Sequence, residues 1–223
     1  MISKKLNKSL ADFINRKVVP MYKRHDAGHD VSHLNEVVEF ALKLAKKVKD
    51  KIDLNILYVS AAFHDVGLRV NREDHHIHSG KIVRRLKTLK KWFNEDEIET
   101  IAQACEDHRA SGKNPIRSIY GKIVSDSDRT SLFNIERLLE RMWLYRLDSL
   151  KDDNDTSDEE VFDEMYTHAV KKMSKDKGYV KIQLPETTQL MKKEIKRTQD
   201  HIDNRDKMYA LFLEMRKDGR LKR

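Results

Sequence analysis

The stretch Leu54-Asn-Ile-Leu-Tyr-Val59-Ser-Ala-Ala-Phe63-His64-Asp65-Val-Gly67 decides the fold. Its first ten residues are apolar almost all round, which suits a helix at the centre of a bundle rather than on its surface. It ends in an adjacent imidazole and carboxylate, with Gly67 as a stop signal. Neighbouring residues on a helix point about 100° apart, so His64 and Asp65 diverge unless something between them holds both. A carboxylate at the edge of an apolar core is costly without a cation or a hydrogen-bond partner. A metal ion meets both demands, and the chain reads as a metal-dependent enzyme.

Upstream, Leu6, Leu10, Phe13, Ile14 and Val18 form one helical stripe over 6–22, interrupted by Pro20. A loop follows, and a second helix is predicted over 32–48, with Leu34, Val37, Ala41 and Ala45 on its inner face. Asp30 suits its N-cap, which places His33 in the first turn. Downstream, helices are predicted over 76–89, over 96–108 and from Ile116 through Leu132. The acidic run 151–160 reads as an exposed loop, and a helix carrying Val161, Phe162, Met165, Ala169 and Met173 follows it. Residues 178–185 are strand-friendly but brief, and one or two last helices run over 187–217. The expected architecture is all-α: a helical bundle over 1–150 carrying the site, and a helical extension over 151–223 packed on it or continuing it.

Composition agrees. Hydrophobic residues are 39% and charged residues 37% of 223, with seven Gly and three Pro, too few turn signals for an all-β chain. A single cysteine, Cys105, rules out an intramolecular disulfide and a Cys-rich zinc site, and suits a reducing, cytoplasmic setting. No apolar run approaches a membrane span, and the N-terminus lacks a signal peptide's apolar core. The net charge is +8, and residues 187–223 hold eleven Lys or Arg against six Asp or Glu. Such a surface attracts polyanions, nucleotides and nucleic acid among them. No stacking aromatics are interleaved with the basic residues, and a solvated helix face explains the charge as well.

The ordered set His33, His64-Asp65, Asp128 offers two imidazoles and two carboxylates. These suit zinc, manganese, iron or, less well, magnesium, and leave a divalent ion formally neutral. Open positions then take water and a phosphate oxygen. The pattern resembles the HD superfamily of metal-dependent phosphohydrolases. His25-Asp-Ala-Gly-His29-Asp30-Val-Ser-His33 looks like the family's first-ligand segment, Phe63-His64-Asp65-Val66-Gly67 like its signature, and Val124-Ser-Asp126-Ser-Asp128-Arg129 like its fourth-ligand segment. The resemblance covers about residues 20 to 135 and implies metal binding by His33, His64, Asp65 and Asp128. Asp128 is preferred to Asp126 because Arg129 follows it in the family's manner, which leaves Asp126 as a surface or supporting residue.

Among further histidines, His76 before Ser79-Gly80 and His108 at a helix end match placements that line the family's cleft. They are assigned to substrate phosphate, with a second metal as the alternative. Arg109, Lys113, Arg117 and Lys122 lie nearby in sequence and join them as candidate phosphate contacts. The expected reaction is hydrolysis of a phosphoester or phosphoanhydride, by preference in a nucleotide, by metal-activated water. Asp65 and His64 carry it, and Asp65 serves as general base only where its second oxygen reaches that water. Val66-Gly67-Leu68-Arg69 replaces the acidic pair of the alarmone hydrolases, and the cyclic-dinucleotide branch's Gly-Tyr-Pro element is missing. The small stand-alone hydrolases remain. A non-catalytic nucleotide- or nucleic-acid-binding module and an HD-type di-iron oxygenase are the rival readings. Oligomeric state is not legible.

Overall fold

A computed structural model describes residues 5–25, 28–109, 115–149, 156–174 and 178–222. Helices α1 (Lys8–Lys17), α2 (Val19–Tyr22), α3 (Val31–Ala45) and α4 (Leu54–Phe63) come first. A 3-10 turn at Val66–Arg69 leads into α5 (His75–Arg85), and another at Lys87–Lys91 into α6 (Glu95–Asp107). Helix α7 (Ile119–Asp128) and a 3-10 turn at Thr130–Phe133 follow. The chain then forms α8 (Ile135–Ser149), α9 (Asp158–Met173), α10 (Pro185–Leu190), α11 (Lys192–Ile202) and α12 (Arg205–Lys217). No strand occurs among the described residues, so the chain is all-α, and 178–184 is irregular rather than extended.

Caps set several of these starts. Asp30 accepts from the Ser32 and His33 amides, as expected for the N-cap of α3. Asn94 and Glu97 form a reciprocal capping box at α6. Pro20 stands in the first turn of α2, where its missing N–H costs nothing.

The chain divides into two compact units, Met1–Thr130 with Ile182–Leu190, and Ser131–Lys181 with Met191–Arg223. The first unit thus ends at 130, and a short piece of the C-terminal third returns to it. Asp126 explains that return. Its side chain, fully buried, accepts from the Gln183 amide at 2.8 Å, the Leu184 amide at 3.0 Å and the Thr187 hydroxyl at 2.7 Å. Leu184 and Leu190 then pack with Val37, Ala41, Leu44 and Ile123. Asp126 is thus a buried anchor, not a surface residue.

In the first unit α4 is central and touches α1, α3, α6 and α7. The small residues Ser60, Ala61 and Ala62 are fully buried and let these helices approach, while Leu57, Val59 and Phe63 fill the space between them. Burying each large side chain contributes about 1.5–3 kcal/mol. The buried Ser60 hydroxyl donates to the Ile56 carbonyl at 2.8 Å, so no polar group is stranded there.

The second unit has its own core, built on Trp143, Phe162, Met165, Met208, Phe212 and Met215. Trp143 donates its indole N–H to the Lys222 carbonyl at 2.8 Å. The one or two helices expected over 187–217 are three, broken at Met191 and at Asp203-Asn204. In α12, Phe212 and Met215 face this core, while Leu213 is exposed. No helix among the described residues is long and apolar enough to cross a membrane.

Candidate metal centre

Helix ends build the site. His33 stands in the first turn of α3, His64 caps α4, Asp65 follows it, and Asp128 closes α7. His33 Nε2 lies 3.1 Å from Asp128 Oδ1, 3.3 Å from His64 Nε2 and 3.7 Å from Asp65 Oδ2. His64 Nε2 lies 3.1 Å from Asp65 Oδ2 and 3.8 Å from Asp128 Oδ1. An ion about 2.0–2.2 Å from each of several ligands holds neighbouring donors roughly 3.0–3.6 Å apart, close to these separations.

A second set shares one member with the first. Asp65 Oδ1 lies 3.4 Å from His75 Nε2 and 3.4 Å from His108 Nε2, and those two nitrogens are 3.2 Å apart. His75 is the first residue of α5 and His108 caps α6. Asp65 therefore turns one oxygen toward each set.

Three of the rings are held alike. The Nδ1 atoms of His64, His75 and His108 meet the carbonyls of Ala61 at 2.7 Å, Arg72 at 2.8 Å and Cys105 at 2.6 Å. A carbonyl only accepts, so each Nδ1 carries a proton, which leaves each Nε2 turned to the centre as the atom that can offer a lone pair to a metal. The His108 carbonyl is itself pinned by the Ser125 hydroxyl and the buried Arg129 guanidinium, each at 3.2 Å.

The field at the centre favours positive charge. Burial opposes a charge on His64, yet the carboxylates of Asp65 and Asp128 raise its pKa to about 9. Burial likewise opposes ionisation of Asp65, and the facing imidazoles of His64, His108 and His33 hold it well below the usual carboxylate range. His75 moves the other way, to about 4, through burial and the neighbouring His108, and so stays neutral at pH 7. Asp65 Oδ2 is buried and makes no hydrogen bond among the described residues. Converging lone pairs, two carboxylates and an orphaned oxygen together fit a divalent cation at each set. Among the described residues, these are the two groups of three or more His, Cys, Asp or Glu that could hold a metal ion.

Comparison with known families agrees with this geometry: the HD domain model matches residues 25–132. Just under half of the chain is thus similar to the HD domain. No curated protein and no solved structure matches the chain. The HD match contains all six converging side chains.

The structure thus brings together His33, His64, Asp65 and Asp128, with His108 beside them. The other described candidates, His76, Arg109, Arg117 and Lys122, belong to neither donor set. His76 is in neither donor set, although its ring lies 5.6 Å from that of His75; the histidine of α5 in the second set is His75, one residue earlier. Two adjacent histidines are ambiguous in sequence, but Ser79 settles the phase. Its hydroxyl accepts from the Gly67 amide at 2.9 Å, and His75 lies one turn before it on the same face. A Cβ on Gly67 would fall 2.0 Å from the His75 carbonyl oxygen. That close approach sets His75 beside Asp65 and leaves His76 about 100° round the helix.

Arg117 is committed elsewhere. It binds Asp107 at 2.8 Å and Glu106 at 2.7 Å, in a network that continues to Arg84 and Glu99. Arg109 donates to the Glu73 carbonyl. Lys122 sits in the first turn of α7, at the opposite end of that helix from Asp128. Lys113 lies outside the described residues.

Proposed function

We propose that the HD-like region is a divalent-metal-dependent phosphohydrolase that cleaves a phosphoester or phosphoanhydride bond, with a nucleotide as the favoured substrate. The two donor sets joined through Asp65 carry this reading. His33, His64, Asp128 and Asp65 Oδ2 would hold one ion; His75, His108 and Asp65 Oδ1 would hold the other. A divalent ion supplies Lewis acidity, lowering the pKa of water and offsetting charge on the phosphoryl group.

The chain's own residues do the rest. The Nδ1 tethers orient three imidazoles before any ligand arrives, so little ordering is left to be done on binding. Phe63 and Val66 flank His64-Asp65 and are buried, which dries the inner wall. Asp128, its side chain 24% exposed, marks the side from which water and substrate enter. Both Asp65 oxygens face donor sets, so Asp65 acts as the shared ligand and not as a general base. A net charge of +8 favours an anionic substrate.

The test is release of phosphate or pyrophosphate from a nucleotide panel with manganese, then magnesium, zinc and iron, beside Asp65→Ala. Release that vanishes in a variant with unchanged circular dichroism supports the hydrolase. The same six donors would also suit a di-iron oxygenase. Iron at about two per purified chain, oxygen consumption and no phosphate release would replace the hydrolase with that enzyme. Metal uptake with neither activity would leave a binding module.

A further inference from the structure

Tyr22, on the short helix α2, is fully buried and belongs to neither donor set. Its hydroxyl donates to the Ala62 carbonyl at 3.0 Å and accepts from the Asp65 amide at 3.3 Å. A continuing α4 would use both of those groups itself. In an unbroken helix the Asp65 N–H bonds the Ala61 carbonyl, and the Ala62 carbonyl accepts from residue 66. Here the Ala61 carbonyl meets His64 Nδ1, and the tyrosine hydroxyl takes the other two. Helix α4 stops at Phe63, two residues before its expected end. His64 keeps helical torsions (φ −53°, ψ −40°), whereas Asp65 moves to φ −109°, ψ 4°.

The consequence bears on the puzzle of the dipeptide. Helical continuation would carry Asp65 about 100° round from His64. With the helix broken, His64 Nε2 and Asp65 Oδ2 lie 3.1 Å apart, and Oδ1 reaches toward His75 and His108.

We propose that Tyr22 is a positioning residue, whose hydroxyl breaks α4 between His64 and Asp65 and thereby aims the two Asp65 oxygens into the two donor sets. The proposal rests on the metal reading of the centre. Packing alone does not ask for the hydroxyl. The ring is already held in the core with Leu10, Ile14 and Phe63 and against the His25 ring at 4.8 Å.

Tyr22→Phe removes one oxygen and leaves the ring. The readouts are Mn2+ affinity and stoichiometry by electron paramagnetic resonance, the exchange-coupled signal of paired ions, and thermal unfolding. Loss of a residue that orients a ligand costs roughly tenfold to a hundredfold in metal affinity. Because Asp65 is shared, both ions should weaken together and the coupled signal should fade. Leu10→Ala, in the same core cluster, is the control: it should lower stability and leave Mn2+ affinity at the wild-type value.

Wild-type uptake of two Mn2+ with unchanged affinity and coupling in Tyr22→Phe would overturn the role of Tyr22 and leave the metal centre standing. A wild-type chain that takes up no Mn2+, Zn2+ or Fe2+ would overturn both. If Tyr22→Phe fails to fold, amide exchange in the wild type decides. An Asp65 amide as slow as that of Val59 supports the bond to Tyr22, and a fast one refutes it.

Discussion

Asp126 and Asp128 stand two residues apart on α7, and replacing each by alanine should produce opposite phenotypes. Residues two apart on a helix point about 200° apart, so one carboxylate faces the returning segment and the other faces His33. Asp126→Ala takes the acceptor from the Gln183 amide, the Leu184 amide and the Thr187 hydroxyl at once. Hydrogen bonds to a charged group are worth about 1.5–3 kcal/mol each. Their sum is offset by the cost of burying the carboxylate, which raises the Asp126 pKa despite the three donors. A net loss of ~3–4 kcal/mol follows. With a urea m value of ~2 kcal/mol/M, the midpoint should fall by about 1.5–2 M.

The assay uses the two tryptophans, Trp92 in the first unit and Trp143 in the second. Trp143→Phe leaves Trp92 to report the first unit alone, and amide exchange at Gln183 and Leu184 reads the anchor directly. Asp126→Ala should expose those amides and still bind metal when folded. Asp128→Ala should keep them protected and lose an ion. If Asp126→Ala keeps its stability within about 1 kcal/mol of wild type, the anchor argument fails. If a folded Asp126→Ala loses the metal while Asp128→Ala retains it, the two aspartates have been assigned the wrong way round.

Three shorter tests address other parts of the molecule. Gly67→Ala places a Cβ against the backbone of His75 and Ser79, so α5 must shift; we expect loss of the second ion, read by metal analysis, and a fall of ~2–3 kcal/mol in urea unfolding. His75→Ala should remove one of two bound ions and His76→Ala neither; equal losses would refute the assignment of α5. Arg84 holds the Glu99 pKa at about 2, against 4.5 for the free group, so this pair stabilises above pH 4.5 and is lost as pH falls toward 2. The side chains are 34% and 44% exposed, and screening keeps the effect below ~1 kcal/mol. Glu99→Gln should therefore flatten the stability profile in that window, and an unchanged profile in acid unfolding would remove the pair from the account.

Much of this protein was legible without coordinates. The apolar run into His64-Asp65 marks a central helix because only a fully surrounded helix tolerates apolar residues on every side. Asp30 before His33 announces a helix start because its carboxylate can satisfy orphan amides. Both follow from local chemistry, and so does the all-α class. The order His33, His64-Asp65, Asp128 pointed to a divalent ion because those donor types suit one.

What remained hidden depends on approaches between segments far apart in the chain. The choice of His75 over His76 turns on Gly67 letting the α5 backbone come close. The burial of Asp126 turns on residues 183–187, some sixty positions later, folding back onto α7. Arg117 looked free for phosphate until α6 supplied Asp107 and Glu106 to bind it. The break in α4 depends on a hydroxyl forty positions upstream, which no propensity of residues 54–65 contains. Sequence periodicity reports which face of a helix is apolar, and so it determined the elements and the donor types. Which donor meets which, and at what distance, is a property of packed backbones, and only the tertiary structure decided it.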